Sequence, residues 1–216
     1  MLTTAECMQF ACILEATARK PGNVHRFCDF DDLTYLDFLL SAAVIGPILE
    51  QAPVRGVGPV VLDAIRATRR VVSTNTNLGI VLLLAPLAAV PRDRNLRSGV
   101  AAVLCRLTID DSRAVFEAIR LANPGGLGSA PEQDVRAEPT VPLREIMALA
   151  ADRDLIARQY ANGFHDVFEI GVPSLLAGSN PSPSPPRSGE GRSPVQRRSV
   201  AAGAALSAID TGFNDD

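Results

Sequence analysis

The residues best suited to chemistry lie at a sharp break in the chain, Lys20-Pro21-Gly22-Asn23, which follows a run of helix-forming residues. Pro21 disfavours the α-conformation at Lys20, and Gly22 permits backbone angles that are closed to other residues. We therefore expect the break to hold the Lys20 ammonium and the N–H groups of Gly22 and Asn23 near the end of the first helix. Lys20 is the only lysine among 21 basic residues, and a single compact cation suits an anionic ligand. A solvated lysine that closes the helix is the alternative.

Carboxylates flank this break on both sides. Glu15 precedes it, and it shares one face of the first helix with three apolar residues, Met8, Ala11 and Cys12. Because burying an unpaired charge is costly, Glu15 either lies solvated at the rim of the helix or serves a site. The site is the preferred interpretation. After the break comes a polar loop with three acidic residues, Asp29, Asp31 and Asp32.

A second unusual segment, Ser73-Thr74-Asn75-Thr76-Asn77, places five small polar residues before Leu78-Gly79 and an apolar helix expected from Ile80 to Ala89. The first N–H groups of a helix lack partners within it, and the helix dipole is positive there, so its start is a natural anion site. An ordinary helix cap is the alternative, but it accounts for one of the five polar residues.

Helical patterns extend over most of the chain, and alternating strand patterns are absent. Thr3 and Glu6 form a capping box, which predicts a first helix that runs to about Ala18. Further helices are predicted at 60–72, 99–107, from Asp110 or Asp111 to Asn123, and 143–168. We expect Pro142 at the first position of the last helix and an ion pair between Asp154 and Arg158.

The second helix is expected to be capped by Asp31 or Asp32 and to continue to Leu49. Asp37 and Ser41 lie four positions apart in this mostly apolar stretch. Hydrogen bonding between helices and contact with a substrate are both open interpretations of this polar pair.

The fold class is therefore all-α, a single-domain multi-helix bundle over residues 1–176. Residues 177–216 form a low-complexity tail whose first part is rich in Pro, Ser and Gly. We expect that part to be disordered, because it has too little apolar surface to offset the entropy of ordering.

Composition excludes several classes of function. A net charge of −3 and an aromatic content of 5% without tryptophan argue against nucleic acid or an anionic membrane as a partner. The four cysteines lack C-x-x-C spacing and only two histidines occur, so a zinc site is not expected. The longest apolar run, 79–91, is too short to span a bilayer and no signal peptide is visible. A cytoplasmic protein with reduced cysteines is the expectation.

The two polar segments together resemble the triphosphoribosyl-dephospho-CoA synthase family over residues 8–176. The matching positions are Glu15, Lys20, Pro21, Gly22, Asp29, Asp31, Ser41, Asn75, Thr76 and Gly79. Phe27 and Asn77-Leu78 stand where the family has a histidine and a His-Lys pair. Pro-Gly-Asn-Val-His and Asn-Thr-Asn-Leu-Gly, which this chain has at 21–25 and 75–79, resemble the archaeal branch of the family more closely.

This resemblance implies attack by the 2′-hydroxyl of dephospho-CoA on the ribose C1 of ATP, with adenine leaving and the triphosphate retained. It assigns Mg²⁺ to Asp29 and Asp31, since that ion takes one or two carboxylates with water and phosphate oxygens. Lys20 would neutralise phosphate and Glu15 would be the general base. The other implied substrate-binding residues are Gly22, Asn23, His25, Ser41, Asn75, Thr76, Asn77 and Gly79.

Other interpretations remain open at this stage. The chain could be a non-catalytic helical protein that binds ATP and Mg²⁺, a related transferase with a different acceptor, or a structural helical domain, and homo-oligomerisation is left open. Family members continue with further helices where this chain has its low-complexity tail. A frameshift or an inserted repeat is the leading explanation, with an incomplete and inactive enzyme as one consequence. Loss of those helices predicts a large exposed apolar patch on residues 1–176.

Overall fold

The fold is built from helices alone, as a computed structural model shows for the residues that it describes, 1–19, 22–124 and 133–179. In chain order the helices are α1 (Thr4–Thr17), α2 (Tyr35–Leu49), α3 (Ala52–Arg55), α4 (Val57–Val71), α5 (Leu78–Ala88), α6 (Leu96–Cys105), α7 (Ile109–Ala122), α8 (Leu143–Ala150), α9 (Leu155–Asn162), a π-helical turn (Val167–Gly171) and α10 (Val172–Ser179). Within these residues only isolated β-bridges occur, at 25–33. The all-α prediction is confirmed.

Helix α5 is the centre of the core. Its sequence, LGIVLLLAPLA, is apolar on every face, and such a helix must be surrounded by others. It packs against α1 to α4, α6, α7 and α9, which confirms that this apolar run is a buried core helix. None of the helices in the described part of the chain has the length and apolarity needed to cross a membrane. The Asn75–Gly79 segment therefore stands at the start of the most enclosed helix.

Two prolines inside helices each leave a carbonyl that a neighbouring helix then uses. Proline has no N–H, so Pro86 in α5 cannot bond to the oxygen of Leu82, four residues earlier. The Tyr160 hydroxyl of α9 donates to that oxygen at 2.6 Å. In α2, Pro47 likewise leaves the oxygen of Ala43 without its helical donor, and the side chain of Gln9 in α1 donates to it at 2.9 Å.

The residue that caps the helix is the predicted one at α1 and a different one at α2 and α7. The predicted box of Thr3 and Glu6 is present. Neither Asp31 nor Asp32 caps α2, since Thr34 caps it in a capping box with Asp37. The same arrangement recurs at α7, where Thr108 is the cap. In both helices the carboxylate of an aspartate three residues after the threonine accepts from the backbone N–H of the cap.

Other predicted boundaries are wrong in instructive ways. The single helix expected over 143–168 is instead α8, α9 and the π-helical turn, because Asp154 caps α9 and begins a new helix. Asp154 is therefore not the partner of Arg158, which pairs with Asp166 at 2.8 Å. Pro142 lies at the cap position of α8, one residue before its first turn. Helix α6 begins at Leu96, three residues earlier than predicted.

Exposed apolar side chains occur on the outer side of the α1–α2 pair. The two helices are antiparallel, because Gln9 in the first half of α1 bonds to Ala43 in the second half of α2, while Thr17 at the end of α1 bonds to Tyr35 at the start of α2. Four large apolar residues are exposed at helical spacing on this pair, Phe10, Leu14, Leu36 and Leu40. Whether they form the large patch expected from lost helices stays a prediction. The tail expected to be disordered lies outside the described residues from 180 onwards, and α10 includes 177–179.

Candidate active site

The end of α1 carries the first of the predicted site residues. Glu15 is half-buried in the last turn, and it lies close enough to Cys12 for its negative charge to act on that thiol. Burial, together with the charge of Glu15, raises the pKa of Cys12 to about 12. Glu15 is thus partly enclosed beside the buried face of α1, and its service in a site stays a prediction. Lys20, the predicted phosphate ligand, lies outside the described residues.

Loop 22–34 begins with a glycine in the left-handed region. Gly22 has φ +76°, and a Cβ built there would meet no atom of the described residues within 4 Å. Asn23 is exposed beside it, whereas the next residue, Val24, is buried and anchors the loop. The backbone geometry expected of Gly22 is therefore present, and the space in front of it is open.

The first of two tight turns in this loop presents a basic and aromatic tip. Backbone hydrogen bonds in both directions between His25 and Cys28, at 3.0 and 2.8 Å, leave Arg26 and Phe27 at the tip. His25 Nδ1 accepts the N–H of Phe27 at 3.2 Å, so the proton of a neutral His25 is on Nε2. The predicted ligand His25 is half-buried and has one ring nitrogen engaged within the loop.

The second turn presents an acidic tip. Phe30 and Leu33 exchange backbone hydrogen bonds at 2.9 and 3.4 Å, which places Asp31 in an exposed position at the tip. Asp29 lies between the two turns, and its Oδ1 accepts the backbone N–H of Tyr35 at 2.6 Å. Asp29 is therefore fixed to the first residue of α2, and Asp31 is free of that helix.

Asn75 and Thr76 are held by the start of α5 and by α2. Asn75 Oδ1 accepts the N–H of Leu78 at 3.1 Å. The hydroxyls of Thr76 and Ser41 lie 2.6 Å apart in a buried hydrogen bond, and Ser41 also donates to the oxygen of Asp37 at 2.7 Å. Ser41 thus makes hydrogen bonds within the protein, and its contact with a substrate stays a prediction.

Asn77 ties the same segment to α4. Its Nδ2 donates to the hydroxyl of Thr68 at 2.9 Å, and its side chain is only 4% exposed. Asn77 Oδ1 is buried and accepts no hydrogen bond within the described part of the chain, and the same is true of Thr74 Oγ1. An unpaired buried polar atom costs about 1–3 kcal/mol, so each such atom calls for a partner.

Backbone donors accompany these oxygens. The N–H groups of Gly79 and Ile80 are in the first turn of α5, where helix geometry offers no partner. Asn77 caps the helix without a side-chain hydrogen bond, and no acceptor for either N–H occurs among the described residues. At the predicted anion site, two backbone N–H groups and two buried side-chain oxygens thus have no hydrogen-bond partner among the described residues.

Helix α2 connects the two parts of the site. The backbone N–H of Tyr35 donates to Asp29, and the Tyr35 hydroxyl is 2.9 Å from that of Thr17 at the end of α1. Ser41, bonded to Thr76, lies six residues further along α2. At a rise of 1.5 Å per residue, the two attachment points are about 9 Å apart along the helix. Convergence of Glu15, Asp29 and Asp31 on the Asn75–Gly79 segment itself stays a prediction.

The acidic residues of the loop could hold a metal ion only if a bound nucleotide supplied further ligands to it. No group of three or more His, Cys, Asp and Glu residues suited to a metal ion occurs within the described residues. One oxygen of Asp29 is already engaged by Tyr35. Mg²⁺ needs few protein ligands when phosphate oxygens and water complete its shell. Asp29 and Asp31 are therefore suited to a metal that arrives with a nucleotide.

Sequence reasoning missed two residues that position the site. Thr68 is a polar residue at the buried spacing set by Ala64 and Ile65 on α4, and this spacing was the available signal. Tyr35 links α1, the loop and α2, but nothing local in the sequence distinguishes it from a core residue.

Comparison with known proteins identifies the relatives of this chain. Residues 1–186 match the family model of CitG, ATP:dephospho-CoA triphosphoribosyl transferase. The crystal structure of a candidate triphosphoribosyl-dephospho-CoA synthase from Archaeoglobus fulgidus is similar, with 29% sequence identity and a TM-score of 0.54. That similarity covers 69% of this chain and 65% of the Archaeoglobus protein. None of the curated proteins compared with the chain matches it.

Proposed function

Because the chain belongs to the ATP:dephospho-CoA triphosphoribosyl transferase family, we propose that it transfers the triphosphoribosyl group of ATP to the 2′-hydroxyl of dephospho-CoA and releases adenine. The chain spans 65% of the length of its Archaeoglobus neighbour. The proposal that this chain catalyses the reaction therefore depends on the residues of its own candidate site. The cytoplasm, where both nucleotides occur, is the proposed location.

The open start of α5 is the observation that carries this proposal. The N–H groups of Gly79 and Ile80, together with the positive end of the helix dipole, suit a phosphate oxygen. The unpaired oxygen of Asn77 suits a ribose hydroxyl, which can donate a hydrogen bond to it. Open N–H groups occur at every helix start, so the distinguishing feature here is that the buried side-chain oxygens of Thr74 and Asn77 in the same segment have no hydrogen-bond partner within the described residues.

The remaining residues have roles that follow from their positions. Asn75 and Thr76 hold the segment against α2 and α5, so their main task is to position the phosphate and ribose site. Lys20, with Gly22 and Asn23, would neutralise the far end of the triphosphate. Asp29 and Asp31 would hold Mg²⁺ bound to the phosphates, and the metal would supply charge neutralisation there.

Glu15 is the proposed general base. Retaining the triphosphate on the sugar means that the acceptor oxygen bonds to C1 while the bond from C1 to adenine breaks, and adenine leaves with the electron pair of that bond and takes up a proton. The proton of the 2′-hydroxyl must then leave, and a carboxylate held at the end of α1 can accept it. His25, with its proton on Nε2, would act as a hydrogen-bond donor to the acceptor.

A non-catalytic ATP-binding protein is the second candidate, since Asn77-Leu78 replaces the family's His-Lys pair. Incubation with ATP, MgCl₂ and dephospho-CoA, followed by chromatography for free adenine and mass analysis of the product, separates the two. Adenine release with a matching product supports the transferase. Saturable ATP binding without adenine release assigns the chain to the non-catalytic class.

Replacement of the lone lysine tests the phosphate site directly. Lys20→Ala should weaken ATP binding by roughly 1.5–3 kcal/mol, the value of a hydrogen bond to a charged group, and should leave the thermal melt unchanged. Arg94→Gln is the matched control, because Arg94 is an exposed cation with only a 3.9 Å contact to Asp93. Unchanged ATP affinity in Lys20→Ala would return this residue to the role of a solvated lysine.

A further inference from the structure

An exposed aromatic ring flanked by two guanidinium groups stands at the first turn of loop 22–34. Phe27 is 57% exposed. The guanidinium carbon of Arg19 is 4.4 Å from the centre of its ring, and that of Arg26 is 4.3 Å from it. The ring of His25 meets Phe27 edge-on at 6.2 Å. We call Arg19, Arg26 and Phe27 the Phe27 cluster, and none of its members has a role in the proposed function so far.

The two positive charges of this cluster are uncompensated within the described ranges 1–19, 22–124 and 133–179. No ion pair there joins Arg19 or Arg26 to a carboxylate, although the loop also carries aspartates. Because both guanidinium carbons are within 4.4 Å of one ring centre, they are no more than about 9 Å apart. Repulsion at that separation is only partly screened at physiological salt. A bound anion that pairs with both guanidinium groups would relieve it.

We propose that the Phe27 cluster binds the adenosine 5′-diphosphate unit of a nucleotide substrate. Guanidinium groups pair with phosphate oxygens through two parallel hydrogen bonds. An exposed aromatic ring accepts a purine base by stacking, and a guanidinium that moves from the face of Phe27 to pair with a phosphate would leave that face to the base. Arg19 directly precedes the Lys20-Pro21-Gly22 break, so the phosphates would lead from the cluster towards that motif. The inference rests on the proposed function only for the two nucleotides that share this unit, ATP and dephospho-CoA.

A tryptophan reporter gives the most direct test, because the chain contains no tryptophan. Phe27→Trp places a single fluorophore in the cluster. We expect its emission to be quenched in a saturable way by whichever of ATP and dephospho-CoA occupies the site. Tripolyphosphate has no base to stack and should leave the emission nearly unchanged. Phe10→Trp is the matched control, since Phe10 is also exposed but lies on the outer side of α1.

Calorimetric titrations of unlabelled variants separate the ring from the cations. Phe27→Ala should lower the affinity for the nucleotide roughly fivefold or more, in line with the loss of one stacked base. It should leave the affinity for tripolyphosphate unchanged. Phe27→Tyr should retain wild-type affinity. Arg19→Gln and Arg26→Gln should each lower the affinity for both the nucleotide and tripolyphosphate, whereas the control Arg94→Gln should change neither affinity. Arg26→Lys should recover part of the phosphate affinity, because it keeps the charge and loses the planar fork.

Separate titrations with ATP and dephospho-CoA identify which substrate uses the cluster. If Phe27→Ala and the double variant R19Q/R26Q bind both nucleotides as tightly as Arg94→Gln does, the proposal is wrong and the cluster merely braces the loop. Absence of binding to either nucleotide by the wild-type chain overturns it as well. Unchanged adenine release with unchanged affinities in these variants rejects the cluster but leaves the transferase standing. Weakened binding without any adenine release supports the cluster and rejects the transferase.

Discussion

Loop 22–34 and the Asn75–Gly79 segment are both predicted binding segments, yet the protein holds them in opposite ways. The loop is mostly exposed, and short backbone hydrogen bonds within two tight turns give it its shape. The other segment is buried at Thr76 and Asn77 and is tied to α2 and α4 by side chains. A site residue in the loop can therefore change without disturbing the core, whereas one in the Asn75–Gly79 segment supports the fold and the ligand together.

The largest effect on stability should come from the buried hydroxyl pair. Ser41→Ala leaves the buried Thr76 hydroxyl without its partner, so it should lower the free energy of unfolding by about 1–3 kcal/mol. Thr76→Val should cost less, because Ser41 keeps its hydrogen bond to the oxygen of Asp37. Because the two hydroxyls share one bond, the double variant should cost less than the sum of the single ones. Urea unfolding of the four proteins measures this coupling.

The control for this cycle is Ser98→Ala, an exposed serine whose contacts are all with Asn95. It should change stability by no more than about 0.5 kcal/mol. Full additivity of Ser41→Ala and Thr76→Val would mean that the segment is not held by α2, and the contrast between the two segments would disappear.

A smaller effect is expected at the start of the loop. Gly22→Ala places a Cβ at φ +76° with no atom of the described part of the chain within 4 Å, so the expected cost is backbone strain, about 1–2 kcal/mol. The exposed loop can relax part of this strain by changing shape, and ATP affinity should then fall more than stability does. Gly163→Ala has a similar φ of +71° and equally open space at the end of α9.

This second glycine sharpens the comparison because it lies away from the loop. Gly163→Ala should cost comparable stability and leave ATP affinity unchanged. Equal losses of affinity in both variants, measured by titration calorimetry beside thermal melts, would show that Gly22 affects binding only through general destabilisation.

The thiols probe the same contrast without any ligand. Cys28 in the loop and Cys105 are exposed, whereas Cys7 and Cys12 are buried. We expect two thiols to react promptly with a disulfide reagent at pH 8 and the other two only after denaturation. The Cys28→Ser variant should lose one promptly reacting thiol, and prompt reaction of all four thiols would contradict the burial of Cys7 and Cys12 on the inner face of α1.

The pH dependence of stability follows from the same buried thiol. Cys12 has a pKa of about 12 in the folded protein against a reference value of 9.0. Its contribution to stability is therefore fully present below pH 9 and is lost as the pH rises from 9 to 12, because the unfolded chain ionises first. Burial also holds the pKa of Tyr160 above its usual range, which acts in the same direction. Urea unfolding at pH 8, 9 and 10 should show stability falling only above 9.

Local signals in the sequence were enough to predict that most of the helices exist, but they were insufficient to predict where several of them begin and end. Thr34 and Thr108 were overlooked as caps because Asp31, Asp32, Asp110 and Asp111 each satisfy the same preference taken singly. The repeated Thr-x-x-Asp spacing, which parallels Thr3 and Glu6, was the better guide. Over 143–168 the apolar period continues through the turns, so periodicity alone could not reveal the break at Asp154.

The site was predictable in its residue types but only partly in its contacts. The open helix start at Asn75–Gly79 follows from five polar residues before an apolar helix, and the structure shows that start. The bond between Ser41 and Thr76 joins residues 35 positions apart, and no local pattern encodes such a pairing. The Phe27 cluster depends on a turn that returns Phe27 to Arg19, which is likewise a tertiary property.

The two prolines within helices restrict which mutations the protein can accumulate. Pro86→Ala would restore a donor for the oxygen of Leu82, and the Tyr160 hydroxyl would then compete for an acceptor that is already used. Tyr160→Phe alone would leave that oxygen bare, although the two changes together would satisfy it. The same logic couples Pro47 with Gln9. Each pair is thus a case of epistasis in which a substitution harmful by itself becomes acceptable once its partner has changed, so these positions should drift in concert across the lineage.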